Sequence, residues 1–278
     1  MVLSQDRLHP TIRGVGKLLL WFAAAQGAIW RPSASAQTFN PQNPEASGYV
    51  MTFSDDFKSI KSSAWEDNWW YKIQKTPDCQ KEFLPSTIIP SPDGLHLHIR
   101  SLEALPACQM ATKYSNAHLD TYIGFSQQYG YFEAKIKSSA EKGTLTAFWL
   151  MPESGSWPPE VDIEEIRGDI PNTAYMTNHT GRDNKGEQFL FNSPKSLSNS
   201  YHTYGVLLTP QIISWFVDGV RQGQTRQGSD EATPMFVVFS LDAGVCGDGW
   251  AGCPDKETNW SADAFVEWVH VWGLVPGH

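Results

Sequence analysis

From Tyr49 onward the chain is written in the two-residue period of half-buried β-strands, and no stretch sustains a helical period with caps. Residues 95–102 set the pattern. Leu95, Leu97 and Ile99 fall on one face and His96, His98 and Arg100 on the other, because successive strand side chains point to opposite sides. Phe132, Ala134 and Ile136 alternate with Glu133, Lys135 and Lys137 in the same way. Further strands are expected over 144–151, 160–166, 173–180, 202–208, 212–217, 235–241 and 264–272. Asp218-Gly219, after an apolar run, is the dipeptide a tight hairpin wants, since both turn residues need positive φ. Many short strands at regular spacing imply an all-β fold, an antiparallel sandwich or barrel. A chain of 278 residues suits one large domain of that kind.

The net charge of −9, with no basic stripe, excludes nucleic acid as an expected partner and disfavours a polyanionic one. Aromatics make up 13% of the chain and include 12 tryptophans, more than a core readily buries with every indole N–H paired. Some are therefore expected along an open groove. Residues 1–36 read as an export signal: Arg7, Arg13 and Lys17 form a cationic start, 18–25 an apolar run, and Ala34-Ser35-Ala36 a cleavage site. The apolar run is short for a bilayer span, so a secreted or periplasmic protein without stable membrane association is expected. Residues 37–48 then form a polar lead-in and 49–278 a single domain, expected to be a monomer. Cys79, Cys108, Cys246 and Cys253 are an even set in an exported chain, which suggests disulfides, with Cys79–Cys108 and Cys246–Cys253 favoured as local loops. His96 and His98 share a strand face, but no third ligand lies near them in sequence, so they are read as solvent-facing rather than metal-binding.

The informative segment is Trp157-Pro158-Pro159-Glu160-Val161-Asp162-Ile163-Glu164-Glu165-Ile166-Arg167-Gly168. Four acids crowd an otherwise apolar strand, and neighbouring like charges are unfavourable unless they serve a purpose. Two carboxyls on one face can act as nucleophile and acid/base in cleaving a glycosidic bond with retention. Glu160 and Asp162 share a face. In a regular strand Glu164 joins them; with a β-bulge after Asp162, Glu165 does. Either way, crowding raises at least one pKa, as a general acid at neutral pH requires. Strand physics leaves the two options open.

The segment resembles the E-x-D-x-x-E signature of glycoside hydrolase family 16, the laminarinase, lichenase and agarase relatives. Tyr129-Gly130-Tyr131-Phe132-Glu133-Ala134-Lys135-Ile136-Lys137, Ala147-Phe148-Trp149-Leu150-Met151-Pro152, Tyr201-His202-Thr203-Tyr204 and Trp215-Phe216-Val217-Asp218-Gly219 resemble further strands of that family, so the likeness spans most of 49–273. Gly168 lies three residues after Glu165, where the family carries glycine after its last catalytic Glu, which selects the bulged form.

The resemblance implies a β-jelly roll with a sugar cleft across a concave sheet. It implies Glu160 as nucleophile, Asp162 as its electrostatic helper and Glu165 as acid/base, with Glu164 pointing away. It also implies substrate contacts from Trp149, Trp157 and His179, and a loop with Trp250 and Trp260 at the cleft edge. No cofactor is required. A structural Ca²⁺ near the first and last strands would draw on Asp55, Asp56 and Glu267. Ser240 stands where many relatives have Asn. The expected activity is retaining endo-hydrolysis of a polysaccharide, a β-1,3- or mixed-linkage glucan or a bacterial exopolysaccharide. The rival readings are a lectin-like binding module and a transglycosylase on the same fold.

Overall fold

The computed structural model describes residues 39–59, 64–67, 82–83, 87–100, 115–181, 186–229, 231–244, 250–252, 258 and 261–275. All four cysteines, Trp260 and the signal segment lie outside them. In chain order the strands are β1 (Tyr49–Asp55), β2 (Glu66–Asp67), β3 (Glu82–Phe83), β4 (Ile88–Ser91), β5 (Gly94–Arg100) and β6 (Ser115–Asp120). They continue as β7 (Gly130–Lys137), β8 (Thr144–Pro152), β9 (Glu160–Arg167), β10 (Thr173–His179) and β11 (Glu187–Asn192). The last five are β12 (His202–Leu208), β13 (Ile212–Val217), β14 (Val220–Arg226), β15 (Met235–Ala243) and β16 (Ser261–Leu274).

These strands form two sheets. One runs β14-β13-β12-β7-β16-β5-β4, with β1 also on β16; the other runs β11-β10-β9-β8-β15-β6-β2, with β3 on β6. Every pairing is antiparallel except the two-residue contact of β3 with β6. The protein is an antiparallel β-sandwich, as the alternation implies. β16 serves as the spine of its sheet. β7 lies along one edge, while β5 pairs with its first half and β1 with its second.

The core lies between the sheets and is built from the inward half of each alternating strand. Phe132, Ala134 and Ile136 from β7 and Val266, Val269 and Val271 from β16 meet Phe148 and Leu150 from β8 and Val237, Phe239 and Leu241 from β15. Each such apolar chain contributes roughly 1.5–3 kcal/mol of transfer free energy. That is enough to fix register, since a one-residue slip would turn a whole row to water. At the β13–β14 hairpin, Asp218 (φ 49°) and Gly219 (φ 72°) both take the left-handed region, as the Asp-Gly dipeptide predicts. The strands that alternation did not pick out include β11 and β14, which end their sheets and carry largely polar or exposed sequences. An edge strand with one wet face gives little hydrophobic signal.

Candidate active site

β9 follows directly on Trp157-Pro158-Pro159 and carries the acid run. Both of its neighbours show the same break in register. Along β8, Phe148 pairs with Glu164, but the next residue, Trp149, pairs with Asp162. Along β10, Tyr175 pairs with Glu165, and Thr177, two residues on, pairs with Asp162, three residues back. One extra residue therefore sits in β9 at Ile163, the bulged one of the two options.

The bulge sorts the side chains. Val161, Ile163 and Ile166 go into the core. Glu160, Asp162 and Glu165 come together on the opposite face, close enough that the charges of both glutamates act on Asp162. A bulge leaves a backbone group without its ladder partner. Here the Asp162 carbonyl accepts a hydrogen bond from the indole Nε1 of Trp215 at 2.8 Å, reaching across the interior from β13. Gly168 closes the segment: a Cβ there would collide with the carbonyl of Glu141. That collision is a physical reason for a glycine at this spacing.

Electrostatics separate the acids. Asp162 is 2% exposed. Burial, the charges of Glu165 and Glu160, and a hydrogen bond shared with Glu160 push its carboxyl well above the usual range. Burial lifts the Glu165 carboxyl to about 7; the hydrogen bond from Trp250 works against that rise, while the charges of Glu160 and Asp242 add to it. Glu164 points inward, as the bulge demands, but it is no solvated bystander. It is fully buried and accepts a hydrogen bond from Ser138 Oγ at 2.8 Å. Burial lifts its carboxyl to about 8, opposed by the Ser138 bond and aided by the charge of Glu165. It is a neutral acid in the core at pH 7.

The expected substrate contacts surround this cluster. His179 lies opposite Glu160 on β10, with Nε2 3.0 Å from Asp162 Oδ2. Trp157 is half-exposed, its ring 6.0 Å from that of His179. Trp149 lies opposite Asp162 on β8, and its Nε1 donates to Ser240 Oγ at 3.3 Å. The serine in place of the family's asparagine thus holds the indole.

Other neighbours went unread in the sequence. Trp250 was expected only as a loop residue at the cleft edge. Its Nε1 donates to Glu165 Oε1 at 3.0 Å. Its ring meets Tyr175 edge-on at 5.0 Å and carries the Arg167 guanidinium 5.8 Å from its centre. On β6, His118 Nε2 lies 3.2 Å from Asp120 Oδ2, both side chains buried, and the His118 ring packs edge-on against Trp149 at 5.9 Å. The alternation Ala117-His118-Leu119-Asp120 is the signal that could have found this strand.

Glu160, Asp162 and His179 can bring one ligand atom each within 4.8 Å of one another, a spacing that suits a cation. The raised pKa of Asp162 favours a shared proton at the same place. The carboxylates expected for calcium each have a protein partner. Asp55 accepts from the Phe57 amide (2.7 Å) and Trp65 Nε1 (2.8 Å), Asp56 pairs with Lys58 (2.6 Å), and Glu267 with Lys135 (2.7 Å). His96 and His98 are half-buried. His98 Nδ1 lies 2.8 Å from Asp263 Oδ1, and the His96 ring packs on Phe265 at 4.4 Å.

A two-sheet sandwich carrying a bulged strand with three outward acids is the class of protein defined so far. The family model described as "Glycosyl hydrolases family 16" matches residues 90–269, and the chain belongs to that family. Among curated relatives, the endo-1,3-1,4-beta-glycanase EglC of Rhizobium meliloti (strain 1021) is 29% identical over 245 residues, covering 81% of this chain and 52% of that protein. ExsH of the same organism, carrying the same description, is 28% identical over 244 residues, with the same coverage. The chain thus spans about half the length of these relatives. The laminarinase catalytic domain from Thermotoga maritima superposes with a TM-score of 0.72 at 19% identity, covering 81% of this chain and 98% of that one, a likeness of fold.

Proposed function

We propose that this protein is a retaining endo-glycosidase that hydrolyses β-linked glucan or bacterial exopolysaccharide. The observation that carries this is the bulge at Ile163, which delivers Glu160, Asp162 and Glu165 to one face of a family 16 chain. In the first step the Glu160 carboxylate attacks the anomeric carbon. The bond to the leaving sugar oxygen breaks as Glu165 passes its proton to that oxygen, and a glycosyl-enzyme remains. In the second step water attacks the same carbon, gives a proton to Glu165, and frees Glu160. Glu165, lifted to about 7, still holds much of its proton at neutral pH. Asp162, which shares a hydrogen bond with Glu160, steadies the nucleophile's charge as it changes. The chemistry runs on protein carboxyls without a cofactor.

Trp157, Trp149 and His179 flank the acids and supply sugar-stacking and hydrogen-bonding surface. The likeness to the endo-1,3-1,4-beta-glycanases EglC and ExsH supports a β-1,3/β-1,4-linked substrate. The net charge of −9 argues against a sulfated polymer. Export through the 1–36 signal is part of the same reading, since the polymer lies outside the cell. Among the described residues no helix is long and apolar enough to cross a membrane.

The test is release of reducing ends from β-1,3-glucan, mixed-linkage glucan, bacterial exopolysaccharide and agarose. One polymer is expected to be cut, and Glu160→Gln to lose at least about 10³-fold in rate. Turnover by Glu160→Gln at the parent rate would remove Glu160 from the mechanism. Products longer than the substrate oligosaccharide would reassign the enzyme to glycosyl transfer.

A further inference from the structure

The sheet opposite the acids carries a second hollow, of about 430 Å³, on its outer face. That is within the roughly 300–1,000 Å³ common for small-molecule sites. It lies between the lead-in around Gln42 and the row Trp268, His270 and Trp272 of β16, with Glu133 and Asp218 on its floor and rim. The row exists because β16 is bulged: Val266 pairs with Ile136, but Trp268 pairs with the adjacent Lys135. After the bulge Val269 and Val271 go into the core, and the three aromatic residues between and beyond them face outward. The rings of Trp268 and His270 stack at 4.3 Å with 13° between planes, and that of Trp272 meets His270 edge-on at 5.5 Å.

Much of the polar lining is committed. Trp272 Nε1 donates to Glu45 Oε1 at 2.7 Å, and Asp218 takes His202 at 2.7 Å and the Thr203 amide at 2.9 Å. What remains is a specific set. Glu133 is 8% exposed; one carboxyl oxygen accepts from Tyr131 Oη at 2.9 Å, and the other has no hydrogen-bond partner among the described residues. The Trp268 Nε1 and the His270 ring nitrogens likewise have none among the described residues. These unpartnered polar atoms line the hollow beside an aromatic plate, where a ligand can reach them.

We propose that this hollow is a second saccharide-binding site, taking a neutral hexose unit of the polymer on the sheet opposite the acids. The choice of a sugar follows from the lining. An indole plate suits the apolar face of a pyranose ring. Hydroxyls, which both donate and accept, match an indole N–H, an imidazole and a carboxyl oxygen at once. Among the described residues no lysine or arginine lines the hollow, and Glu45, Glu133 and Asp218 do, so an anionic ligand is repelled. Only the identity of the sugar rests on the glycosidase reading. Holding the polymer at two places, the protein would gain avidity on long chains that it lacks on short ones.

The experiment is a calorimetric titration of Glu160→Gln with β-1,3-glucohexaose and with a mixed-linkage glucohexaose, repeated in Glu160→Gln/Trp268→Ala. One equivalent of binding is expected to disappear with Trp268. A cooperative thermal unfolding transition near the parent's, with the far-UV β-sheet spectrum kept, shows that the sandwich persists. If that transition is lost, Glu133→Gln replaces Trp268→Ala and is expected to weaken one equivalent about fivefold. Unchanged stoichiometry and affinity in the folded variant, with either sugar, overturn the proposal. Turnover of the same hexaoses by the unmutated protein reports on the glycosidase reading separately, so the two can fail independently.

Discussion

Strands β9 and β16 lie in different sheets, and each takes in one extra residue, β9 at Ile163 and β16 at Glu267. In both, the bulge switches which alternate side chains face the core, from Val161 and Ile163 to Ile166 on β9 and from Val266 to Val269 and Val271 on β16. The treatment of charge then differs. On β16 the bulged Glu267 meets Lys135 at 2.7 Å, so its charge is answered by the adjacent strand. On β9, among the described residues, no lysine or arginine pairs with Glu160, Asp162 or Glu165. The nearest strand cation, Arg167, is held by Asp169 at 2.9 and 2.7 Å. Folding alone favours the arrangement of β16. Crowded acids with raised pKa values cost stability, and they persist where a proton must be held and released. One backbone device thus makes a charge-paired surface on one sheet and a crowded acid face on the other.

The largest stability effect that probes this contrast is expected at the support of the β9 bulge. Trp215→Phe keeps a ring in the core but removes the donor to the Asp162 carbonyl. A buried acceptor left without a partner costs about 1–3 kcal/mol, so the urea midpoint should fall accordingly. Cleavage should fall as well, because the bulge is what puts Glu165 beside Asp162. A Trp215→Phe protein as stable as the parent would mean that the bulge holds itself and the indole merely fills space.

Glu164 is the inward product of the same bulge, and its expected effect is of similar size but appears only at high pH. Its carboxyl stands at about 8 in the folded protein against an ordinary 4.5. Between those values the unfolded chain has released a proton that the folded chain keeps. Stability therefore declines as pH rises from about 4.5 to about 8 and is level above. Glu164→Gln removes this contribution. Thermal unfolding should find it close to the parent at pH 5 and more stable by on the order of 1–3 kcal/mol at pH 9. A gap between the two proteins that does not widen with pH would show that Glu164 ionises freely where it sits.

The same contrast separates what local sequence encodes from what sheet order supplies. The alternation of Leu95, Leu97 and Ile99 or of Phe132, Ala134 and Ile136 fixes the fold class, because burial on one face enforces period two. Glu160, Asp162 and Glu165 could be named from motif and glycine spacing, and Gly168 has a local steric cause. The bulge itself could not be derived from strand physics, since a regular strand would have put Glu164 on the face. The partners from elsewhere in the fold were also out of reach. Trp215 on β13, Ser138 after β7 and Trp250 beyond β15 reach β9 through sheet order, which local patterns do not encode. On β16 the break in alternation at Val266-Glu267-Trp268-Val269 is the local signal of the bulge.

Trp250 offers the finest test, because it acts on a single proton. Burial lifts Glu165 to about 7, and the indole N–H, by favouring the anion, holds it lower than burial alone would. In the proposed mechanism Glu165 is protonated when the leaving sugar departs, so kcat/KM should fall as pH rises through about 7. Trp250→Phe keeps a ring against Tyr175 and Arg167 but cannot donate. With the anion less favoured, the Glu165 pKa rises, and the falling limb should move to higher pH by roughly half a unit to one unit. The direction decides the matter, since it separates an electrostatic role from a packing one. A limb that stays in place would assign Trp250 to substrate or loop packing. A limb that moves to lower pH would mean that the loop had been shielding Glu165 from water, its N–H being secondary. The matching expectation for β16 is that changing Lys135, whose partner Glu267 takes no part in the proposed chemistry, leaves this limb where it is.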